Sequence, residues 1–473
     1  MLKALKPIID NLPEVKAPLK APPLKEKLKW TAAVLVIFYL MGQIYPIGLD
    51  ATRVATFERL EILLGSRTGT LITTGIGPIV LASIFLQLAV GAKLIKIDLS
   101  QQENKKLYQG LQKLLAIALS ILEGFIYSKS IVVATDAITP ALFAQNAMFG
   151  ILTPLQLAVM FQLTLGSVIL LYLDEIAQKY GIGSGISLFI AAGVAQAVFI
   201  GAFSFATTGT SVAGLIPQAI FELVNANVAS AIWALMPLVF TIVVFSMAVY
   251  AEGMKIELPL AYGGARGLGA RYPIKFLYVS NIPVILASAV LLNIQVFGLF
   301  MSNAGINVLG TYQDNQPVDG FVYYTTPMQS PLMTPGGYSV YLSLITEPRE
   351  ILHIFTYGIV LVLLCVVFGW FWIESTGMGA SDVAAQLEKT GMQIPGFRQD
   401  PRVTERILQR YIPVITILGS IFVGILAWFA DITGALGTGT GILLTVGILY
   451  RLYEDLSRQQ VFEMYPVLNR FVK

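Results

Sequence analysis

Few side chains in this sequence could do covalent, redox or metal chemistry, and those few stand alone. Glu123 is the one carboxylate that lies clearly deep within an apolar run. A charge at mid-membrane costs on the order of 3 kcal/mol and is kept for function, as in a proton relay or an ion path. Such paths use several ionisable groups, and here the others are missing. His353 is the only histidine, which leaves no His cluster for a metal. Cys365 is the only cysteine, which excludes an intramolecular disulfide. No nucleophile, base and orienting group fall together. The segment GIGSG at 181 to 185 is not a phosphate loop, because no strand precedes it and no Lys-Ser/Thr follows. The expectation is a protein that is not an enzyme and carries no metal or other cofactor.

The elements that position Glu123 are long apolar runs. Of the 473 residues, 56% are hydrophobic and 12% charged, against roughly 25% charged in a soluble domain. A run of about 20 apolar residues crosses a bilayer. Ten such spans are read at 30 to 48, 70 to 92, 111 to 128, 149 to 172, 184 to 204, 229 to 250, 276 to 301, 350 to 373, 411 to 430 and 437 to 455. Ten crossings return both termini to one side, and the positive-inside rule makes that side the cytoplasm. All but five of the 31 Lys and Arg residues fall there, counting Lys113 and Arg451 at the cytoplasmic ends of spans 3 and 10, the exceptions being Arg53, Arg59, Arg67, Lys129 and Arg349. The net charge of +3 adds nothing about partners beyond this bias. Residues 1 to 29 form a cytoplasmic amphipathic segment rich in Pro and Lys, with no small-residue cleavage site, so span 1 is expected to stay attached.

The spans repeat. PIVLAS at 78 to 83 in span 2 matches PVILAS at 283 to 288 in span 7. GIGSGISLFI at 181 to 190, entering span 5, matches GTGTGILLTV at 437 to 446, entering span 10. Both pairs lie five spans apart. An odd number of crossings per half inverts one half against the other, the pattern of inverted-repeat transporters whose pathway lies at the repeat interface. The fold class expected is an all-α polytopic membrane protein, ten transmembrane helices in two pseudo-symmetric inverted halves of five, 30 to 205 and 206 to 473. Small residues let helix backbones approach closely, and irregular backbone at membrane depth needs protein or water around it. Spans 2, 5, 7 and 10 are therefore expected to line the interior.

Ile76 and Val80, like Ile186 and Ile190, are four residues apart and share a helix face. A pathway lined by Ile and Val offers no site for a hydrophilic solute and acts as a hydrophobic constriction. Between spans 1 and 2, apolar Val54, Phe57, Leu60, Leu63 and Leu64 recur at helical spacing within 49 to 69. That segment is an amphipathic helix on the outer face, lying on the membrane surface or folding back into a channel mouth. Loops 251 to 275 and 374 to 410 carry much topogenic charge. The glycine-flanked Arg266 and Arg271, on a loop longer than topology requires, point to a docking site for an RNA-rich or acidic partner.

At these residues the chain resembles the SecY family, the pore-forming alpha subunit of the Sec protein translocase, and its archaeal and eukaryotic branch more than the bacterial one. The resemblance covers essentially the whole chain: KLKWT entering span 1, GTLITTGIGPIV, YLDEIAQKYGIGSGI, YPIKFLYVSNIPVILA, GFR at 396 to 398 and GALGTGTGILLTV. It implies a protein-conducting channel with a pore ring of Ile76, Val80, Ile186, Ile190, Ile285 and Leu444. It makes the segment at about 55 to 66 a plug. It also implies a lateral gate between spans 2 and 3 and spans 7 and 8, with Glu123 and Asn293 in a polar cluster and Leu81 where relatives often have a polar residue; Ser83 is the alternative there. Arg266, Arg271 and Arg398 would contact the ribosome. The family's partners are a SecE-type gamma subunit, a small beta-type subunit, signal sequences, nascent polypeptides and membrane lipid, and its seat here would be the cell membrane. The competing readings are an inverted-repeat secondary transporter of a small solute, which needs buried polar groups in the broken spans, and an intramembrane enzyme.

Overall fold

The computed structural model describes residues 6–7, 9, 11–18, 20, 22–48, 67, 69–91, 94–95, 102–131, 153–205, 207–208, 211–212, 214–262, 269–279, 281–303, 305–313, 316–328, 337–389, 392–393 and 401–464. In chain order the elements are α1 (Leu24–Met41), α2 (Gly77–Gly91), α3 (Gln102–Ile131), α4 (Pro154–Tyr180), α5 (Gly185–Phe203), β1 (Thr207–Thr208), β2 (Ser211–Val212), α6 (Leu215–Val224) and α7 (Val228–Gly253). There follow β3 (Lys255–Tyr262), β4 (Gly269–Lys275), α8 (Ile282–Asn303), β5 (Thr311–Gln313), β6 (Gln316–Asp319), α9 (Phe321–Thr325) and α10 (Gly337–Leu344). The chain continues with α11 (Pro348–Thr376), α12 (Ala380–Lys389), β7 (Met392–Gln393), α13 (Pro401–Thr433) and α14 (Gly439–Met464). The fold is that of a helical multi-pass membrane protein. Among the described residues seven helices are long and apolar enough to cross a membrane. The other three expected spans fall on α1, α2 and α14.

Several ends differ from those read in the sequence, each for a local reason. Span 1 stops at Met41 rather than 48, because Gly42 and Gln43 turn back on Phe38 and Leu40 and Pro46 disfavours helix in the residue before it. Span 2 begins at Gly77 rather than 70, since residues 69 to 76 form turns with Gly75 in the left-handed region at φ +55°. Span 4 begins at Pro154 rather than 149. Its start is fixed by a capping box in which Gln156 N–H donates to Thr153 Oγ1 (3.2 Å) and Thr153 N–H to Gln156 Oε1 (3.1 Å). Span 7 begins at Ile282 rather than 276, after strand β4 and a turn. Span 9 begins early, at Pro401, so the 374 to 410 segment is partly helical.

α11 shows why hydropathy finds these helices. One face, Leu352, Phe355, Ile359, Leu363, Val367 and Trp370, is exposed, and the opposite stripe, Tyr357, Leu361 and Cys365, is buried. A helix apolar on both faces needs lipid around it. The chain divides into two compact units, Met1–Ala195 with Ile448–Lys473, and Gln196–Gly447. In the first, Phe38, Ile76, Val159, Leu163, Leu170 and Phe189 are buried, and Phe38 stacks on Phe189 with ring centroids 4.8 Å apart. In the second, α7, α8, α11, α13 and α14 close on a core that includes Val244, Val284, Leu361, Cys365, Val423 and Leu443. An unexpected feature is a three-stranded antiparallel sheet in the order β4-β3-β7, joining the loop after span 6 to the loop after span 8.

Candidate pore ring and gate residues

In the first unit the segment ahead of α2 is built from threonines that satisfy their own turns. Thr70 Oγ1 donates to Arg67 O (2.7 Å) and Thr73 Oγ1 to Thr70 O (2.5 Å), while Thr74 shares a short hydroxyl contact with Ser167 of α4. Gly166 of α4 admits this segment, because a Cβ there would lie 1.9 Å from Leu71 O. Ile76, fully buried, thus precedes the helix on an anchored turn, and Val80, half-buried, donates its N–H to Ile76 O (3.0 Å). α5 is held by α1: Tyr39 Oη donates to Ala192 O (3.0 Å), and Ile182 N–H donates to Thr31 Oγ1 (3.0 Å). Ile186 is half-buried and Ile190 buried on that helix.

In the second unit α8 carries Ile285, half-buried, and α14 carries Leu444, buried. Asn281, buried at the mouth of α8, donates through Nδ2 to Leu443 O at 2.6 Å. Ser288 Oγ and Thr440 Oγ1 lie 3.3 Å apart. These polar contacts tie α8 to α14 at the level of Leu444, and sequence reading passed over Asn281 because a lone amide at a span entrance looks like ordinary surface polarity.

The repeat gives four of these six positions a common geometry. Val80 and Ile285 are each the fourth residue of their helix, with Pro78 and Pro283 each the second; a proline in the first turn removes no helix hydrogen bond. Ile190 and Leu444 are each the sixth residue of α5 and α14. The sequence match of the glycine motifs set Gly181 against Gly437, but the helices begin at Gly185 and Gly439, so the structural register is two residues away. Ile76 and Ile186 correspond on this register to Asn281 and Thr440.

Glu123 lies half-buried on α3, in the first unit, and Asn293 is exposed on α8, in the second. Asn293 Nδ2 donates to Ala289 O of its own helix (2.7 Å). On α2, Ser83 Oγ accepts from Gln87 Nε2 (3.2 Å) and Leu81 is half-buried. At about 100° per residue Leu81 and Ser83 point roughly 160° apart, so only one of them can belong to any one cluster. Arg271, exposed on β4, donates to Glu257 Oε2 at 2.7 Å, and Lys255 lies 3.0 Å from the same carboxylate. The Arg271 hydrogen bond first and the Lys255 one second hold the Glu257 carboxyl below its ordinary range. The expected plug residues Val54, Phe57, Leu60, Leu63 and Leu64, together with Arg266 and Arg398, lie outside the described residues.

Three buried carboxyl groups among the described residues escaped the sequence reading. Asp174 on α4, Glu252 on α7 and Asp431 on α13 lie just past the expected ends of spans 4, 6 and 9. Asp174 and Asp431 each precede a glycine motif by a few residues, in YLDEIAQKYGIG and FADITGALGTG, and that shared placement was the signal available. Among the described residues no group of three or more His, Cys, Asp or Glu could hold a metal.

The SecY family model matches residues 70–453. The chain is 45% identical to the protein translocase subunit SecY of Methanocaldococcus jannaschii over 475 residues, 100% of each chain. It is 42% identical to that of Methanothermobacter thermautotrophicus, over 98% of each. Among solved structures, a protein-conducting channel superposes with a TM-score of 0.78 at 42% identity, and Sec61 in the canine ribosome-channel complex from the endoplasmic reticulum with 0.76 at 42%, each over 98% of both chains.

Proposed function

Because the chain belongs to the SecY family and is a protein-translocation channel, we propose that its pathway is closed by a ring of Ile76, Val80, Ile186, Ile190, Ile285 and Leu444. The observation that carries this reading is the repeat geometry: Val80 with Ile285, and Ile190 with Leu444, hold the same helix positions in the two units. Branched apolar side chains exclude water from a narrow aperture yet bind no single residue of a passing chain strongly, so the ring is indifferent to sequence. Energy for movement comes from translation or a separate motor.

The rest of the reading rests on the family and on local features. The segment near 55 to 66 is the plug. Signal sequences and transmembrane segments leave sideways into lipid between spans 2 and 3 and spans 7 and 8, beside Glu123 and Asn293. The halves are 30 to 205 and 206 to 473. Both termini face the cytoplasm of a cell-membrane channel; in support, the N-terminal segment meets the first half of α3 and the end of α4, where Lys113 Nζ donates to Pro13 O (2.9 Å) and Lys179 pairs with Glu14 (2.9 Å). A ribosome docks on Arg266, Arg271 and Arg398; in support, the similar canine Sec61 belongs to a ribosome-channel complex. A SecE-type gamma subunit and a beta-type subunit complete the assembly.

The ring is tested by resting ion conductance of the assembled complex in planar bilayers. Ile186→Asn and Ile285→Asn are each expected to wet the constriction and raise the leak. Conductance equal to that of the unsubstituted channel would remove these residues from the ring.

A further inference from the structure

The two helices that open with glycine motifs share a second feature, which lies outside the ring. Each receives a buried carboxyl group from the span before it. In the first unit, Asp174 of α4 is 7% exposed. Its Oδ1 accepts from the Ile186 N–H at 3.0 Å and from Ser184 Oγ at 3.2 Å, and its Oδ2 accepts from Gln178 Nε2 at 2.8 Å. In the second unit, Asp431 of α13 is 8% exposed. Its Oδ1 accepts from the Gly439 N–H at 3.1 Å and its Oδ2 from Tyr357 Oη of α11 at 2.7 Å.

These are not ordinary caps. An N-cap comes from the residue next to the helix. Thr438 caps α14 in that way, its Oγ1 accepting from Gly441 N–H at 3.1 Å, so Asp431 adds to that cap, whereas Ser184 gives its hydroxyl to Asp174. The carboxyl groups come from the neighbouring helix and so fix one helix against another. A buried carboxyl group is costly unless its oxygens are satisfied, and the first turn of a helix supplies free N–H groups with a favourable dipole.

The backbone is shaped to let this happen. A Cβ on Gly185 would lie 2.5 Å from Asp174 Cα, and one on Gly439 would lie 2.2 Å from Ala427 O. Two residues before each helix start, Gly183 and Gly437 take φ of +73° and +82°, which glycine adopts at no steric cost. Each short connection turns on a glycine, and the carboxyl group holds the helix that follows, alongside Ile182 N–H on Thr31 Oγ1 in the first unit and Leu436 N–H on Thr241 Oγ1 in the second. These first turns carry the ring residues: the N–H bound by Asp174 is that of Ile186, with Ile190 one turn further, and Leu444 follows Gly439 by five residues.

We propose that Asp174 and Asp431 are a repeated pair of positioning residues that lock the first turns of α5 and α14 to the preceding spans, and thereby hold the apolar ring shut. The proposal rests on the pore-ring reading, and the experiment separates the two. Resting ion conductance and amide hydrogen exchange are measured on the assembled complex for Asp174→Ala, Asp431→Ala, the isosteric Asp174→Asn and Asp431→Asn, and Ile186→Asn. The alanine variants are expected to lose protection about tenfold in the first turns of α5 or α14, the scale of a lost cap, and to leak several-fold more than the parent. The asparagine variants, which keep one acceptor oxygen and fold where alanine does not, are expected to fall between. Leak from Ile186→Asn with silent aspartate variants would overturn the positioning role alone. Frayed first turns or lowered melting temperature with parental conductance would overturn it as well, since a merely structural pair moves stability and not leak. No leak from Ile186→Asn would overturn the ring and the proposal with it.

Discussion

Tyr357→Phe removes one hydroxyl from the second unit and nothing else. The ring of Tyr357 stays in the core, 5% exposed, so the change leaves no cavity to relax. What is lost is the 2.7 Å hydrogen bond to Asp431 Oδ2. Hydrogen bonds to charged groups contribute about 1.5–3 kcal/mol, whereas interhelical hydrogen bonds in membranes average about 0.6 kcal/mol, because the unfolded chain in lipid finds other partners. The carboxyl acceptor favours the upper figure and the membrane reference state the lower. The expected loss is about 1.5 kcal/mol, near the largest membrane value recorded in that range and roughly a tenfold shift in the folding equilibrium. The assay is a double-mutant cycle with Asp431→Ala, reading unfolding of the purified complex in detergent. Coupling of at least about 1 kcal/mol between the two changes is expected where contact residues interact. Additive effects, or a Tyr357→Phe loss below about 0.3 kcal/mol, would refute the assignment of this bond as an anchor of α13 to α11.

Other consequences follow from the loops and the core. Glu257→Gln should remove the acid sensitivity of the β3-β4 hairpin. With its carboxyl held below the ordinary 4.5 by Arg271 and then Lys255, Glu257 contributes stability that is complete above that value and is lost as pH falls through the folded one; hairpin amide exchange against pH reads this, and an unchanged acid limb in the variant would contradict it. Arg271→Glu combined with Arg398→Glu should weaken ribosome binding in a salt-dependent way, and equal cosedimentation at low salt would count against that face. Phe189→Ala should cost about 3–5 kcal/mol, the range for a fully buried aromatic, by opening a void against Phe38; a loss under about 1 kcal/mol in detergent unfolding would mean that α1 does not brace α5.

The helices and the repeat were legible because a lipid-spanning helix must be apolar all round, as α11 is, and because PIVLAS and PVILAS fix one register. Each begins with a proline at the second helical position, so sequence and structure agree that Val80 answers Ile285. The glycine motifs were less informative. Gly-x-Gly-x-Gly matches itself when slid by two residues, and only the capping positions Ser184 and Thr438, with their carbonyls accepting from Leu188 and Ile442 N–H at 3.1 Å, select the true register. Asp174 and Asp431 were missed because a hydropathy window ends where a charge begins, which pushes a carboxyl group outside the span it completes. The β4-β3-β7 sheet was missed because β7 is two residues long and finds its partner more than a hundred residues away.

The central claim is that a polypeptide passes the ring, and it is tested most directly by photocrosslinking from a probe at position 285 to a stalled, ribosome-bound secretory chain. A crosslink that moves along the nascent chain as that chain lengthens is the predicted result. No crosslink from an assembled complex with its ribosome bound would contradict a pathway past Ile285.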